Sequence, residues 1–305
     1  MIMKKIIVLV MILEFISISP ALSIDFFQAR PAGMAGAGIA VGQSADAVRI
    51  NSAATHNISR PQIAANYIAL YPGLATDKLS VSQISAIYPL KGTSNISFAY
   101  EEFNSDRITN SLFQIGISGD VGKIISFIKH DVLMSIDGVV YYRHYKENIF
   151  TRNDPIFSGG RNATAFSMNI NFFGDVTKNL QWGLAFRNII KPDLGLKQDD
   201  YLPREGGLGL AYRLPFILGA LDILTDGRNT SVRTGLEKSF FKDMFVFRGG
   251  YAFGDNRLSN ISLGTGIKYN KHRIMTILNY AYTFSLTGAT DGTSGIHQVG
   301  GVVSF

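Results

Sequence analysis

From residue 61 onward, apolar side chains recur at every second position, with small or polar residues between them. In 165–172, Phe166, Met168, Ile170 and Phe172 alternate with Ser167, Asn169 and Asn171. Leu180, Trp182, Leu184 and Phe186 alternate with Gln181, Gly183, Ala185 and Arg187. Phe245, Phe247, Tyr251 and Phe253 oppose Val246, Arg248 and Ala252, and Ile261, Leu263, Ile267 and Tyr269 oppose Ser262, Gly264, Gly266 and Lys268. Successive side chains of a strand point to opposite faces, so each run has one apolar face and one small-or-polar face. The pattern predicts strands near 61–71, 79–90, 93–103, 121–130, 133–146, 163–173, 179–190, 205–213, 216–225, 229–239, 243–253, 258–269, 272–285 and 294–305, with Leu112–Ile117 as an alternative strand in the poorly patterned region 108–130.

A soluble β-sandwich alternates as well, so alternation leaves the class open. Three features favour a transmembrane antiparallel up-and-down β-barrel of about fourteen strands. The runs extend to roughly 10–12 residues, against five or six in ordinary strands and the 9–11 that a tilted membrane-spanning strand needs. The polar face is rich in Gly, Ser and Asn, as a wet lumen permits. The even-numbered connections are short, as at Lys91–Gly92 and Asn270–Lys271, whereas the odd ones include 104–120, 147–162, 191–204 and 286–293. Outer-membrane barrels pair short periplasmic turns with longer external loops. In lipid every backbone polar group needs an internal partner, so strands can cross only as a closed barrel. The apolar faces then meet lipid, with Tyr71, Tyr251 and Tyr282 as candidate girdle residues.

The ends of the chain carry their own signals. Lys4 and Lys5 precede the apolar run Ile6–Leu13, and Ala21 and Ser23 form an Ala-x-Ala-like cleavage site. This predicts a signal peptide over 1–23, with an uncleaved anchor helix as the alternative. Phe305 ends an alternating run with Val303 and Val299, which resembles the recognition signal of the barrel-assembly machinery. The expected location is the bacterial outer membrane, with its lipid and that machinery as partners.

Composition narrows the chemistry. The chain has 305 residues and no cysteine, which excludes disulfides, thiolate metal sites and a lipid-anchored lipoprotein terminus. Charged residues are 17% and the net charge of +6 is spread without a dense basic run, which argues against nucleic-acid binding. His56, His130, His144, His272 and His297 lie apart, with no His-Glu-x-x-His pair, so neither metal nor cofactor is expected. Gly-x-Ser-x-Gly is absent, so no nucleophile elbow is present and no enzyme is expected. Glu101–Glu102 reads as a solvated pair at a strand end. Arg187, Arg233, Glu237, Arg248 and Lys268 fall on predicted lumen faces, because a charge facing lipid costs up to ~2–4 kcal/mol near the midplane. They are expected to pair with one another or with inner residues such as Asp46.

Residues 24–60 differ from the rest. They contain Ala29-Arg30-Pro31-Ala32-Gly33-Met34-Ala35-Gly36-Ala37-Gly38-Ile39-Ala40-Val41-Gly42 and then Asp46-Ala47-Val48-Arg49-Ile50-Asn51-Ser52-Ala53. The glycine spacing misses the dinucleotide fingerprint Gly-x-Gly-x-x-Gly, and the stretch reads as small residues packed in a confined space. It resembles the N-terminal hatch of FadL-type outer-membrane transporters and of the related PorV/PorQ-type barrels. Those carry a Met-Gly-Gly-Ala-Gly-like stretch followed by Asp-Ala-x-x-x-x-Asn-Pro-Ala; here Ser52 stands where proline is usual. Val232-Arg233-Thr234-Gly235-Leu236-Glu237, Phe247-Arg248-Gly249-Gly250-Tyr251 and Gly264-x-Gly266-Ile267 resemble strand motifs of the PorV/PorQ group. The resemblance implies a hatch over 24–60 inside a barrel over 61–305. It makes Gly33, Gly36, Gly38, Asp46, Asn51, Ser52 and Ala53 candidates for gating and ligand contact. It also implies one of two functions. One is passage of hydrophobic, fatty-acid-like small molecules; the other is service to type IX protein secretion with secretion-system partners.

Overall fold

The computed structural model describes residues 27–42, 44–73, 77–90, 94–121, 132–149, 151–254, 259–286 and 295–305. The expected signal peptide lies outside the described residues. Fourteen antiparallel strands form a closed barrel in which each strand pairs with its sequence neighbours. They are β1 (Gln62–Leu70), β2 (Leu79–Pro89), β3 (Ser94–Asn104), β4 (Ile108–Asp120), β5 (Val132–Tyr145), β6 (Asn162–Asp175) and β7 (Leu180–Arg187). The ring continues with β8 (Glu205–Arg213), β9 (Ile217–Thr225), β10 (Thr230–Phe240), β11 (Phe245–Gly254), β12 (Ser259–Lys271), β13 (Ile274–Ser285) and β14 (Ile296–Ser304). The seam closes where Ile63 faces Val303 and Tyr67 faces Val299. One further bond, from Phe305 N to the Pro61 carbonyl at 3.1 Å, holds the last residue. Val299 and Phe305 turn outward.

Thirteen of the strands fall where the alternation predicts them, and one does not. The fourth strand is 108–120, and the expected strand 121–130 lies, from 122 on, outside the described residues. It pairs with β3 from Ser94–Gly119 to Asn104–Thr109 and with β5 from Ile108–Tyr145 to Asp120–Leu133. The physical reason lies in the run Phe113, Ile115, Ile117, which faces outward and supplies the apolar face that 121–130 lacks. The strict alternation of loop lengths therefore fails at two places. The β3–β4 connection, expected to be long, is only 105–107, and the β4–β5 connection, expected to be short, is 121–131.

The two faces of the wall separate as expected. Phe166, Leu236, Leu263 and Leu278 are exposed outward, while Ser167, Asn169, Asn171, Arg187, Arg248 and Ser262 are buried inward. The inward face is not simply wet. Much of it is covered, because the segment from Phe27 to Arg60 lies against it from inside. That segment holds a one-turn helix, α1 (Ala29–Ala32), and 3₁₀ turns at Ala45–Ala47 and Ser52–Thr55. Met34, Ala37, Ile39, Ala40, Ala45 and Asn51 in it are wholly enclosed. Tyr71 also departs from its expected place in a girdle. The strand ends at Leu70, and Tyr71 has a φ of 47° and packs beside Ile68, Leu70 and Val81.

Candidate functional site

The inner segment is fixed by polar contacts reaching every strand from β1 to β10. Asn66 Oδ1 on β1 accepts from Ala29 N at 3.1 Å, and Ser85 Oγ on β2 accepts from Gln28 Nε2 at 2.8 Å. Asn95 Nδ2 on β3 donates to the carbonyls of Thr55, His56 and Ile58. Arg49 Nη1 donates to Gln114 on β4, and Arg187 and Arg213, on β7 and β8, donate to the carbonyls of Ile50 and Val41. Asp222 Oδ2 on β9 accepts from Gly38 N at 2.6 Å and Ile39 N at 2.9 Å. Buried backbone groups outside regular structure need such partners. The polar lumen face supplies them here, so its composition answers the backbone of the segment as much as water.

Asn51 and Ser52, in the stretch Asp46-Ala47-Val48-Arg49-Ile50-Asn51-Ser52-Ala53, do two different jobs. The Asn51 side chain accepts from Ala53 N and Ala54 N, capping the second 3₁₀ turn, and donates to the Ile39 and Phe172 carbonyls. Ser52 Oγ is 2.8 and 2.7 Å from the two carboxylate oxygens of Asp137 on β5, 2.6 Å from Ser135 Oγ and 3.1 Å from Asn171 Nδ2 on β6. Its hydroxyl thus ties the segment to the wall, something a proline at this position could not do. Ala53 packs beside Ala54, Leu133 and Phe173.

The luminal charges form two groups. Glu237 on β10 accepts from Arg30 of α1 at 3.0 and 3.2 Å and from Arg248 on β11 at 2.7 Å. Arg248 also donates to Asn279 on β13. The expected partner Asp46 is close but is not the acceptor. It is buried, and burial pushes its carboxyl pKa up against the opposing pull of Arg30 and Arg248. Arg187 pairs with Glu205 at 3.1 Å, and Arg233 stands 4.8 Å over the Phe27 ring. Lys268 lies apart, near the end of the barrel where the chain ends; its backbone N donates to the Met244 carbonyl.

Glycines set how closely segment and wall approach. Gly33 lies against Gly264 of β12, where a Cβ on Gly264 would be 2.9 Å from Gly33 Cα. A Cβ on Gly250 would be 2.3 Å from the Met34 carbonyl carbon. Gly36 has a φ of 82°, which only glycine adopts cheaply. The glycines on the wall side of these contacts were legible only as a small-residue face.

Beyond α1, toward the end of the barrel opposite the termini, lies a cavity of about 590 Å³. Phe27, Ala32, Ala35 and Gly36 form its floor, and Ile68, Leu70, Phe103, Leu224 and Ile296 form much of its wall. A polar recess of about 230 Å³, with Arg49, Tyr141, Arg187 and Glu205, shares Phe27, Phe103 and Glu205 with it. Loop 188–204 closes one side: Leu194 packs with Ala163 and Ala165 beside Tyr141 and Leu202, and Arg143 pairs with Asp200. Gly36, Arg187 and Arg233 are the sequence candidates that line these spaces; the other lining residues were not legible, since they meet only through the closure of the ring. The pair Glu101–Glu102 is also reassigned. Glu101 faces the inner recess, 3.8 Å from Arg49, while Glu102 accepts from Tyr100. Among the described residues no group of His, Asp and Glu is placed to hold a metal ion.

No protein-family model matches the chain. A stretch of 111 residues is 24% identical to Histone deacetylase 4 of Caenorhabditis elegans; it is 36% of this chain but 13% of that protein, and no activity is carried over. Solved structures resemble the whole barrel. The toluene transporter TbuX of Ralstonia pickettii aligns over 93% of this chain and 98% of its own, with 11% identity and a TM-score of 0.63. The toluene transporter TodX of Pseudomonas putida aligns over 94% and 99%, with 13% identity and a TM-score of 0.59. A FadL homologue of Pseudomonas aeruginosa aligns over 92% and 97%, with 11% identity and a TM-score of 0.59. At these identities the likeness establishes the fold, which is the fourteen-stranded barrel of the FadL-type structures.

Proposed function

We propose that the chain is an outer-membrane channel for the passive entry of hydrophobic small molecules, with residues 24–60 as a hatch that gates it. The observation that carries the reading is the cavity of about 590 Å³ with its apolar wall and its floor on the hatch. Its size falls within the ~300–1,000 Å³ range of small-molecule sites. Apolar and polar residues line it side by side, the latter including Glu205, Asp226, Asn229, Arg233 and Gln298, which suits a ligand with one apolar and one polar end, such as a fatty acid. The barrel shares its fold with structures described as toluene transporters, which favours the same ligand class. No observation here favours the secretion-platform alternative.

The absence of cysteine allows a direct test of gating. Ser52 and Ser135 have their hydroxyl oxygens 2.6 Å apart, so Ser52→Cys with Ser135→Cys places two thiols within bonding range. In liposomes, oxidation should stop uptake of a labelled fatty acid and reductant should restore it. Equal uptake in the oxidised and reduced forms would remove the hatch as gate. Failure of the reduced protein to take up fatty acid and toluene alike would remove the channel.

A further inference from the structure

The outer wall carries a feature that passage of solutes does not use. On β8–β11 the outward face sinks into a groove of about 600 Å³. At its centre Leu236 stands between two bare backbones, with Gly219 opposite it on β9 and Gly249 opposite it on β11. A Cβ on Gly249 would meet nothing within 4 Å, and one on Gly219 only the Leu236 side chain at 3.6 Å. Leu210, Tyr212 and Tyr251 complete an apolar border.

The end of this groove nearest the chain termini has a different chemistry. The next outward residue of β10 is Lys238, whose Nζ lies 5.0 Å from the Phe240 ring centroid. The following turn adds Lys242, with Asp243 beside it, and projects Phe241, which is 77% exposed. Phe241, Lys242 and Asp243 all have positive φ, at 50°, 58° and 67°, a conformation non-glycine residues adopt at a cost. Phe240 and Phe247 meet edge to face at 5.6 Å, and Phe241 and Phe245 at 5.9 Å. An apolar trench leading to lysines among aromatic rings matches an acyl chain leading to a phosphate at headgroup level.

We propose that this groove binds one anionic phospholipid of the leaflet nearest the termini, its acyl chain along Leu236 and its phosphate at Lys238 and Lys242. The proposal rests on the membrane placement of the barrel and not on transport. The lysines give the class of lipid, since each contributes about a fivefold preference for an anionic surface.

Trp182 is the single tryptophan and pairs with Leu210 at the groove border, which supplies a native probe. The full chain would be reconstituted in phosphatidylcholine vesicles in which a small share of lipid is dibrominated, either as phosphatidylglycerol or as phosphatidylcholine. Brominated phosphatidylglycerol should quench Trp182 several-fold more than brominated phosphatidylcholine at the same share. Gly249→Leu should abolish the excess by filling the trench, and Lys238→Gln with Lys242→Gln should reduce it. Equal quenching by both lipids, or an excess retained in both variants, would overturn the site. A dimer that Gly249→Leu dissolves would give the face to a second copy and overturn it as well. Anomalous gel migration before heating reports in each case that the barrel itself is intact, which separates loss of the site from loss of the membrane reading.

Discussion

Ser52 Oγ lies within 2.8 Å of both carboxylate oxygens of Asp137, so a hydroxyl of the inner segment sits against a wholly buried carboxyl of the wall. Removing one partner of a buried polar pair costs the desolvation of the other, about 1–3 kcal/mol. Ser52→Ala should therefore lower the temperature at which the barrel loses its anomalous migration on gels, and Ser52→Asn less so. Ser52→Ala with an unchanged transition would show that Asn171 suffices for Asp137.

The neighbours Gly249 and Gly250 should behave oppositely. Gly250→Ala drives a Cβ to 2.3 Å from the Met34 carbonyl carbon, so the segment must shift. Gly249→Ala meets nothing within 4 Å on the outer face. Protease sensitivity of residues 27–60 in folded barrels should rise in the first variant and stay at the parent level in the second. A rise in both would place the wall, not the inner contact, at fault.

Glu237 holds two guanidinium groups, Arg30 at 3.0 Å and Arg248 at 2.7 Å. Glu237→Gln leaves both cations without their carboxylate, and breaking a buried pair this way costs about 3–5 kcal/mol. Arg248→Ala leaves Glu237 with Arg30 as its one remaining guanidinium partner and removes the bond to Asn279. Fatty-acid flux into liposomes should rise in Arg248→Ala and rise further in Glu237→Gln; parental flux in both would detach these charges from gating.

Loop 188–204 should respond to acid. Asp193 accepts from Asp200 N at 2.8 Å and Gly195 N at 2.9 Å, and these two bonds hold its carboxyl below its ordinary 3.8. A lowered native pKa gives the loop stability that is complete above 3.8 and lost as pH falls through the native value. Protection of the Gly195 and Asp200 amides, taken relative to unstructured peptide at the same pH, should fall below that pH, with Asp193→Asn already less protected at neutral pH. Identical exchange in parent and variant would assign the order of the loop to Leu194 packing alone.

These residues also mark how far the sequence could be read. The alternation of Phe166, Met168 and Ile170 with Ser167 and Asn169 fixes both faces of a strand, because register and burial share a period of two. It located thirteen strands and left the fourth open between 121–130 and Leu112–Ile117; Asn110, Ser111 and Leu112 interrupt the pattern before the run Phe113, Ile115, Ile117 begins. The luminal charges were legible because lipid excludes them. Their partners were not: Arg30 and Glu237 lie 207 positions apart and meet only through ring closure. The cavity was illegible for the same reason, since Phe27, Leu70 and Leu224 come from three distant parts of the chain.

The seam has a consequence for how such a molecule is put together. Pro61, at the root of the inner segment, bonds to Phe305, the final residue, so the two ends of the barrel meet beside the cord that leads inside. Contacts to ten successive strands surround that cord, and a ring already shut would have to admit it lengthwise through the mouth beside Pro61. A sheet still open between β1 and β14 can instead curl around it, each added strand gaining bonds to the cord as well as to its neighbour. In that order of events the lumen filler would be the mandrel on which the cylinder is wound, and the bond from Phe305 N to the Pro61 carbonyl the catch that fastens it.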